Sequence, residues 1–205
     1  MKHLENSLRK NQRYKNRIKS LPHPNGALVF YSALKKEHIK KISSNHYQFV
    51  YDQLGSLFVS ISQDGDGRAP KGELTLIASL FTKTKDWFNL EKNEYIDKKR
   101  EYLQKISLAL ESQFDISSEN WLHKELATPL GFEKWTNRPK GIVGGLGQNP
   151  NLFGLFGLSS RTPFQGLWLC GDSIYPGEGT AGVSQCGLMV SKQILSSKGI
   201  SDFNL

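Results

Sequence analysis

A chain of 205 residues that is 38% hydrophobic and 22% charged is long enough to bury a core, which excludes a disordered chain and suits one domain or one and a half. The net charge of +8 is uneven: residues 1–41 carry eleven Lys/Arg against Glu5 and Glu37, and the remainder, with 16 basic against 17 acidic residues, is nearly neutral. Cys170 and Cys186 make no disulfide framework, residues 1–21 lack the apolar stretch of a secretory signal, and no window reaches the length of a spanning helix, so a cytoplasmic protein, soluble or peripheral to a membrane, is expected.

In residues 1–24 the apolar positions Leu4, Leu8, Ile18 and Leu21 are sparse, which predicts a marginal surface helix or a basic arm ended by Pro22 and Pro24. Two readings of that arm stay open, a solvated face and a contact with an anionic lipid surface; nucleic acid is not expected as a partner. Strand-type runs follow at 27–31, 46–51 and 56–61, the last with Leu57, Val59 and Ile61 at every second position. Residues 64–72 are turn chemistry and 73–81 resume as a fourth strand, so an antiparallel sheet is expected. Residues 91–114 give the strongest helical pattern, with Tyr95, Tyr102, Leu103, Ile106, Leu110 and Phe114 on one face. A strand at 121–127, a helical turn at 129–136 and a glycine-rich loop at 138–160 complete a domain spanning 25–160. A strand at 167–170 and a helix at 180–195 form the last segment, 161–200.

Residues 166–187 read Gly-Leu-Trp-Leu-Cys-Gly-Asp-Ser-Ile-Tyr-Pro-Gly-Glu-Gly-Thr-Ala-Gly-Val-Ser-Gln-Cys-Gly. Glycines there let backbone N–H groups approach a ligand, and a helix N-terminus directs partial positive charge at it. Asp172 is placed to accept hydrogen bonds from polyol hydroxyls, and Gly177, Gly179 and Gly182 clear space for a planar group; an ordinary strand-to-helix turn is the alternative. Glu178 is an unhelpful neighbour there unless it turns away to solvent. Ser62, Asp64, Asp66 and Glu73 have some of the spacing of a calcium loop, but strands flank them and Ser62 replaces the first carboxylate. His3, His23, His38, His46 and His123 lack chelating spacing, so no metal site is expected.

The full run Gly-Asp-Ser-x-x-Pro-Gly-x-Gly-x-x-Gly-Val, supported by the Ala-Pro-Lys-Gly turn at 69–72 and by Thr128-Pro129 with Trp135-Thr136, resembles the C-terminal FAD-binding segment of the carotenoid desaturase and isomerase family. The resemblance implies an α+β fold: a mostly antiparallel substrate-domain sheet with helices, then the last strand-turn-helix of a Rossmann-like FAD domain. It implies FAD as cofactor and a carotenoid-type lipophilic substrate. It places Asp172 on the ribityl chain, and the backbone of Gly179, Thr180, Ala181, Gly182 and Val183 near the pyrophosphate or the pyrimidine edge, with Gly171 and Gly177 in the same turn. Trp135, Leu152, Phe153 and Phe156 either line a polyene tunnel or pack in a core. No acid or base is assigned, so the catalytic residues are unknown. The sequence departs from the family in lacking a strand followed by Gly-x-Gly-x-x-Gly and a helix; Gly141 to Gly147 is no substitute, since it follows Arg138-Pro139-Lys140 and runs into Asn149-Pro150. The chain then looks like the C-terminal part of a longer enzyme, with a separately encoded N-terminal FAD-domain half as a partner. Residues 168–179 look closest to cyanobacterial desaturase-like members, so desaturation of a polyene C–C bond is expected; cis/trans isomerisation and a non-catalytic remnant or interaction module are the alternatives.

Overall fold

Apolar residues at every second position set the first half of the fold. The computed structural model describes residues 11–22, 25–63, 65–147, 149–150 and 152–200. Its strands β1 (Gly26–Lys35), β2 (His46–Tyr51), β3 (Gly55–Ile61), β4 (Glu73–Thr82) and β5 (Trp121–Ala127) form one antiparallel sheet in the order β2-β3-β4-β1-β5. Five α-helices accompany it among the described residues: α1 (Gln12–Ser20), α2 (Lys85–Phe88), α3 (Lys92–Phe114), α4 (Pro129–Thr136) and α5 (Gly179–Ser197). The expected α+β class is therefore observed. The chain divides into two compact units: Asn25–Ile142 holds the sheet with α2, α3 and α4, and the residues before Asn25 join those from Val143 onward, holding α1 and α5.

In the sheet unit, Leu28, Phe30 and Leu34 of β1 and Leu74, Leu76, Ala78 and Leu80 of β4 point to one face. There they pack with Leu57, Val59 and Ile61 of β3, with Ile106, Leu110 and Phe114 of α3, and with Trp87 of α2. β1 runs four residues beyond its expected end because Ser32 sits in this core without cost: its hydroxyl donates to the Leu76 carbonyl at 2.7 Å. α2 was not expected, being only four residues, and it buries Trp87 while the indole N–H donates to Thr82 Oγ1 at 2.9 Å. α3 starts at a reciprocal cap in which the Glu91 N–H donates to the Glu94 carboxylate at 2.9 Å, and it ends at Asp115 in the left-handed conformation, φ 54°.

The other face of the sheet mixes polar residues such as Ser56, Ser60, Thr75 and Glu125 with several exposed apolar side chains. Register places Phe58 beside Ser79 and Val29, Tyr31 beside Ile77, and Phe81 beside Ala27. Val50, Phe81, Phe58 and Tyr31 are 80%, 66%, 46% and 40% exposed.

The second unit closes around Leu21, Leu158, Ile174, Cys186 and Val190. The expected surface helix is present as α1, tied down within this unit: the Arg17 guanidinium donates to the Phe156 and Gly157 carbonyls at 2.9 and 2.7 Å, Gly147 N–H donates to Pro22 O at 3.2 Å, and Tyr14 meets Phe164 edge-on. The rest of the predicted arm, residues 1–10, and Pro24 lie outside the described residues. The strand expected at 167–170 is corrected. Trp168 makes an isolated bridge to Arg161 and Leu169 N–H donates to Ser160 O at 2.8 Å, but no ladder forms among the described residues. A strand needs a neighbour of matching length, and residues 158–161 supply only single pairings. Among the described residues no helix is long and apolar enough to cross a membrane.

Leu110 and Leu108 separate core packing from helix surface, since Leu110 is fully buried and Leu108 is 56% exposed. Leu110→Ala is expected to destabilise the sheet unit by about 2–5 kcal/mol and Leu108→Ala by no more than ~0.5 kcal/mol, read from urea denaturation midpoints at constant slope.

Candidate functional site

The glycine run folds into a tight turn that delivers the chain to α5. Ile174 N–H donates to Gly171 O at 3.1 Å and Gly177 N–H to Ile174 O at 2.8 Å, and the Tyr175–Pro176 peptide is cis. Gly177 and Gly179 have φ of 105° and 82°, values that a side chain disfavours. Gly182 is required for another reason: a Cβ there would stand 2.5 Å from the Gly177 carbonyl oxygen, so the first turn of α5 rests directly on the preceding backbone.

A second glycine segment buttresses this turn from within the same unit. Gly145 N–H donates to Glu178 Oε1 at 3.0 Å and Leu146 N–H donates to Ser173 Oγ at 3.0 Å. A Cβ on Gly145 would run into the Asp172 carbonyl and stand 2.6 Å from Ser173 N, and one on Gly144 would run into the Glu178 carboxylate. The glycines at 144–145 therefore serve close backbone packing. Glu178, the residue before α5, turns its carboxylate onto the Gly145 N–H and makes no cap bond to the helix.

These contacts leave the start of α5 open. Gly179, Thr180 and Ala181 are exposed, Val183 is 36% exposed, Gly182 is half-buried, and no acidic side chain lies in the first helical turn. The first amides of a helix have no carbonyl partner within it and carry its positive dipole end. Asp172, in the turn that leads to this helix, is half-buried, with the Ser173 hydroxyl within 3.4 Å of its Oδ1. A Cβ built on Gly171 or on Gly179 would meet nothing within 4 Å. Open backbone donors next to one carboxylate suit a ligand that carries acceptors along one edge and hydroxyls beside it.

Of the residues expected to line a tunnel, Phe153 is half-buried with its ring 6.3 Å from that of Tyr175 in the turn, while Leu152 and Phe156 are 36% and 69% exposed in the same unit. Trp135 belongs to the sheet unit, where it is 80% exposed with Lys134 Nζ 5.2 Å from its ring centre. Two groupings escaped the sequence reading. Arg13, Arg17 and Arg161 line one cleft with Tyr14, whose hydroxyl burial pushes up in pKa; the arginine pair on α1 was visible, its third member far along the chain was not. Cys186 Sγ lies 3.4 Å from Gly171 N, which brings it next to Cys170.

In the calcium-like segment, Asp66 is already engaged. Its carboxylate accepts from the Arg68 guanidinium at 2.6 Å and from the Gln63 and Arg68 N–H groups at 2.7 and 2.9 Å, which holds its carboxyl down to about 2. Asp64 lies outside the described residues, and among the described ones no three His, Cys, Asp or Glu side chains are grouped to hold a metal.

No family model matches the chain. It is similar to chloroplastic prolycopene isomerase of Arabidopsis thaliana, 31% identical over 149 residues, which is 71% of this chain and 25% of the relative. It is likewise similar to chloroplastic prolycopene isomerase of Daucus carota, 29% identical over 149 residues, 71% of this chain and 24% of that one. Chloroplastic prolycopene isomerase 1 of an Oncidium hybrid cultivar is 29% identical over 149 residues, 71% of this chain and 25% of the relative. The chain thus spans about a quarter of the length of the curated relatives it matches.

Two substitutions to alanine read out the glycine packing. Gly145→Ala is expected to destabilise the chain by about 1–3 kcal/mol, because the obstructing atoms are backbone, whereas Gly187→Ala, in open space on α5, is expected to stabilise it by roughly 0.5–1 kcal/mol; thermal unfolding compares them. Asp66 gives a pH test. Its folded pKa is depressed, so its contribution is present above the unfolded value of 3.8 and is lost as pH falls through about 2. A carboxyl NMR titration is expected to find a midpoint near 2 in the native chain and one moved up toward the ordinary carboxylate range in Arg68→Gln.

Proposed function

Because the chain belongs to the carotenoid desaturase and isomerase family over the 149 residues it shares with the prolycopene isomerases, we propose that it forms the isoalloxazine-side half of an FAD site in an enzyme that changes the geometry of a polyene. The observation that carries this reading is the open start of α5 beside Asp172, with Glu178 turned away onto Gly145. The residues present fit that part of FAD. Backbone N–H donors of Gly179, Thr180 and Ala181 suit the N1–O2 edge, the Asp172 carboxylate suits a ribityl hydroxyl, and Gly171 and Gly179 have no atoms crowding the side a Cβ would take. When bound, FAD supplies reversible hydride acceptance. The chain's own contribution is to orient the ring system and to hold fixed dipoles where negative charge develops, so that no reorganisation is needed during reaction.

Redox-neutral cis/trans isomerisation is the favoured chemistry, since the named relatives are isomerases; desaturation is the competing outcome of the product assay below. A polyene offers almost nothing polar to grip, so apolar shape must recognise it. The uncovered sheet face with Tyr31, Phe58 and Phe81, and the Phe153–Tyr175 pair beside the turn, supply surfaces of that kind. In this reading the ADP half of the cofactor is held by a strand–Gly-x-Gly-x-x-Gly–helix unit outside these 205 residues.

The test is reconstitution with a family dinucleotide-binding half, read by flavin absorbance. Little flavin is expected on the chain alone and retained flavin on the pair. In the pair, Asp172→Ala is expected to weaken FAD by roughly 1.5–3 kcal/mol, the value of a hydrogen bond to a charged group. Unchanged affinity removes Asp172 from the site, and stoichiometric FAD on the chain alone removes the half-site reading. Chromatography of a cis-polyene substrate distinguishes an isomer of equal mass from a product that has lost two hydrogens.

A further inference from the structure

Cys170 and Cys186 frame the turn, one just before it and one on α5. Cys186 Sγ accepts the Gly171 N–H at 3.4 Å, under the peptide that leaves Cys170, which brings the two cysteines next to each other. They differ in access: Cys170 is exposed and Cys186 is fully buried. They also differ in support. Cys186 is fixed in a long helix, whereas residues 167–170 make no strand ladder: Leu167 to Leu169 are held by turn hydrogen bonds, an isolated bridge and packing on the core, and Cys170 at their end is exposed.

We propose that Cys170 and Cys186 are a dithiol site that closes to an intramolecular disulfide when the chain meets a low-molecular-weight disulfide. The exposed Cys170, as thiolate, attacks one sulfur of R–S–S–R, forming Cys170–S–S–R and releasing RS⁻. Cys186, after losing its proton to solvent, attacks the Cys170 sulfur, which forms the Cys170–Cys186 bond and releases the second RS⁻. Two protein thiols lose two electrons in all, one external disulfide gains them, and both thiol protons pass to solvent or to the released thiolates. With Cys186 Sγ already on the amide that follows Cys170, the two sulfurs have to close to about 2.0–2.1 Å. Cys170, exposed and outside any strand ladder, would supply that movement while α5 stays in place. Partial desolvation and the neighbouring Cys186 sulfur push the thiol of the exposed Cys170 up in pKa, which lowers its thiolate fraction and slows its attack. The bond would encircle Asp172, Gly177 and Gly179 and so restrict the turn that leads into α5. The inference stands on the two thiols and does not draw on the flavin reading.

The purified full chain is incubated with glutathione disulfide, quenched in acid, alkylated and mapped by peptide mass. The expected result is a cross-linked peptide pair joining Cys170 to Cys186 within one chain, abolished by a reductant. Cys186→Ala is expected to accumulate glutathione on Cys170, and Cys170→Ser to leave Cys186 unmodified. Recovery of both cysteines as alkylated thiols, a wild-type chain that keeps glutathione on Cys170, or a cross-link between two chains would overturn the proposal. The wild-type map decides the matter even if a variant fails to fold.

Discussion

Two stretches of backbone meet at Gly145 and Asp172 with no side chain between them, and the electrostatics of the α5 N-terminus follow from that contact. Only because residue 145 lacks a Cβ can its amide stand close enough for the Glu178 carboxylate to accept it. The neighbouring Leu146 amide takes the Ser173 hydroxyl in the same way. A glutamate immediately before a helix would otherwise be free to fold over the first amides and neutralise the dipole it follows. Held by Gly145, its charge is answered elsewhere and the helix end keeps its unpaired donors. A loop with no ligand role of its own thus determines what kind of ligand the turn can take.

The sheet unit obeys a different constraint, that of a sheet whose one face is packed against its helices into one core while the other carries exposed apolar side chains among polar ones. Burial of side chains such as Leu28, Leu76 and Leu110, each stabilising by about 1.5–3 kcal/mol, is sufficient reason for that core to form. Phe81, Phe58 and Val50 contribute nothing comparable while they remain exposed. Large apolar side chains grouped on one uncovered sheet face mark a surface that meets something apolar.

Legibility from sequence followed how local the cause was. The strands at 46–51 and 121–127 and the helix at 129–136 have the expected bounds, because alternation, a proline at the first helical position and adjacent turn residues are all contained in the element. The long helix differs by one residue, since Glu91 caps it from outside. What failed depended on partners. Residues 167–170 have strand composition and no ladder, and α2 exists because one tryptophan is buried. In the candidate site the glycines were visible as a family mark. That Gly182 answers to the Gly177 carbonyl, that Glu178 turns onto Gly145, and that Cys186 Sγ reaches the amide next to Cys170 are facts of three-dimensional approach. No spacing rule encodes them.

Magnitudes bear on the proposed half-site. In the flavin reading a helix end contributes about 0.3–2 kcal/mol toward negative charge. One hydrogen bond from a ribityl hydroxyl to a carboxylate adds roughly 1.5–3 kcal/mol. Even the upper values together only match the lower part of the ~4–15 kcal/mol lost when a ligand gives up its translational and rotational freedom. Net affinity has to come from a second anchor that has already met that cost, after which the contacts at Asp172 and α5 act as intramolecular increments. The dinucleotide end of the cofactor, with its pyrophosphate and adenosine, is the natural first anchor. The turn at 171–179 is then better suited to orienting a cofactor than to capturing one, which agrees with an arrangement built from fixed backbone donors and close glycine packing.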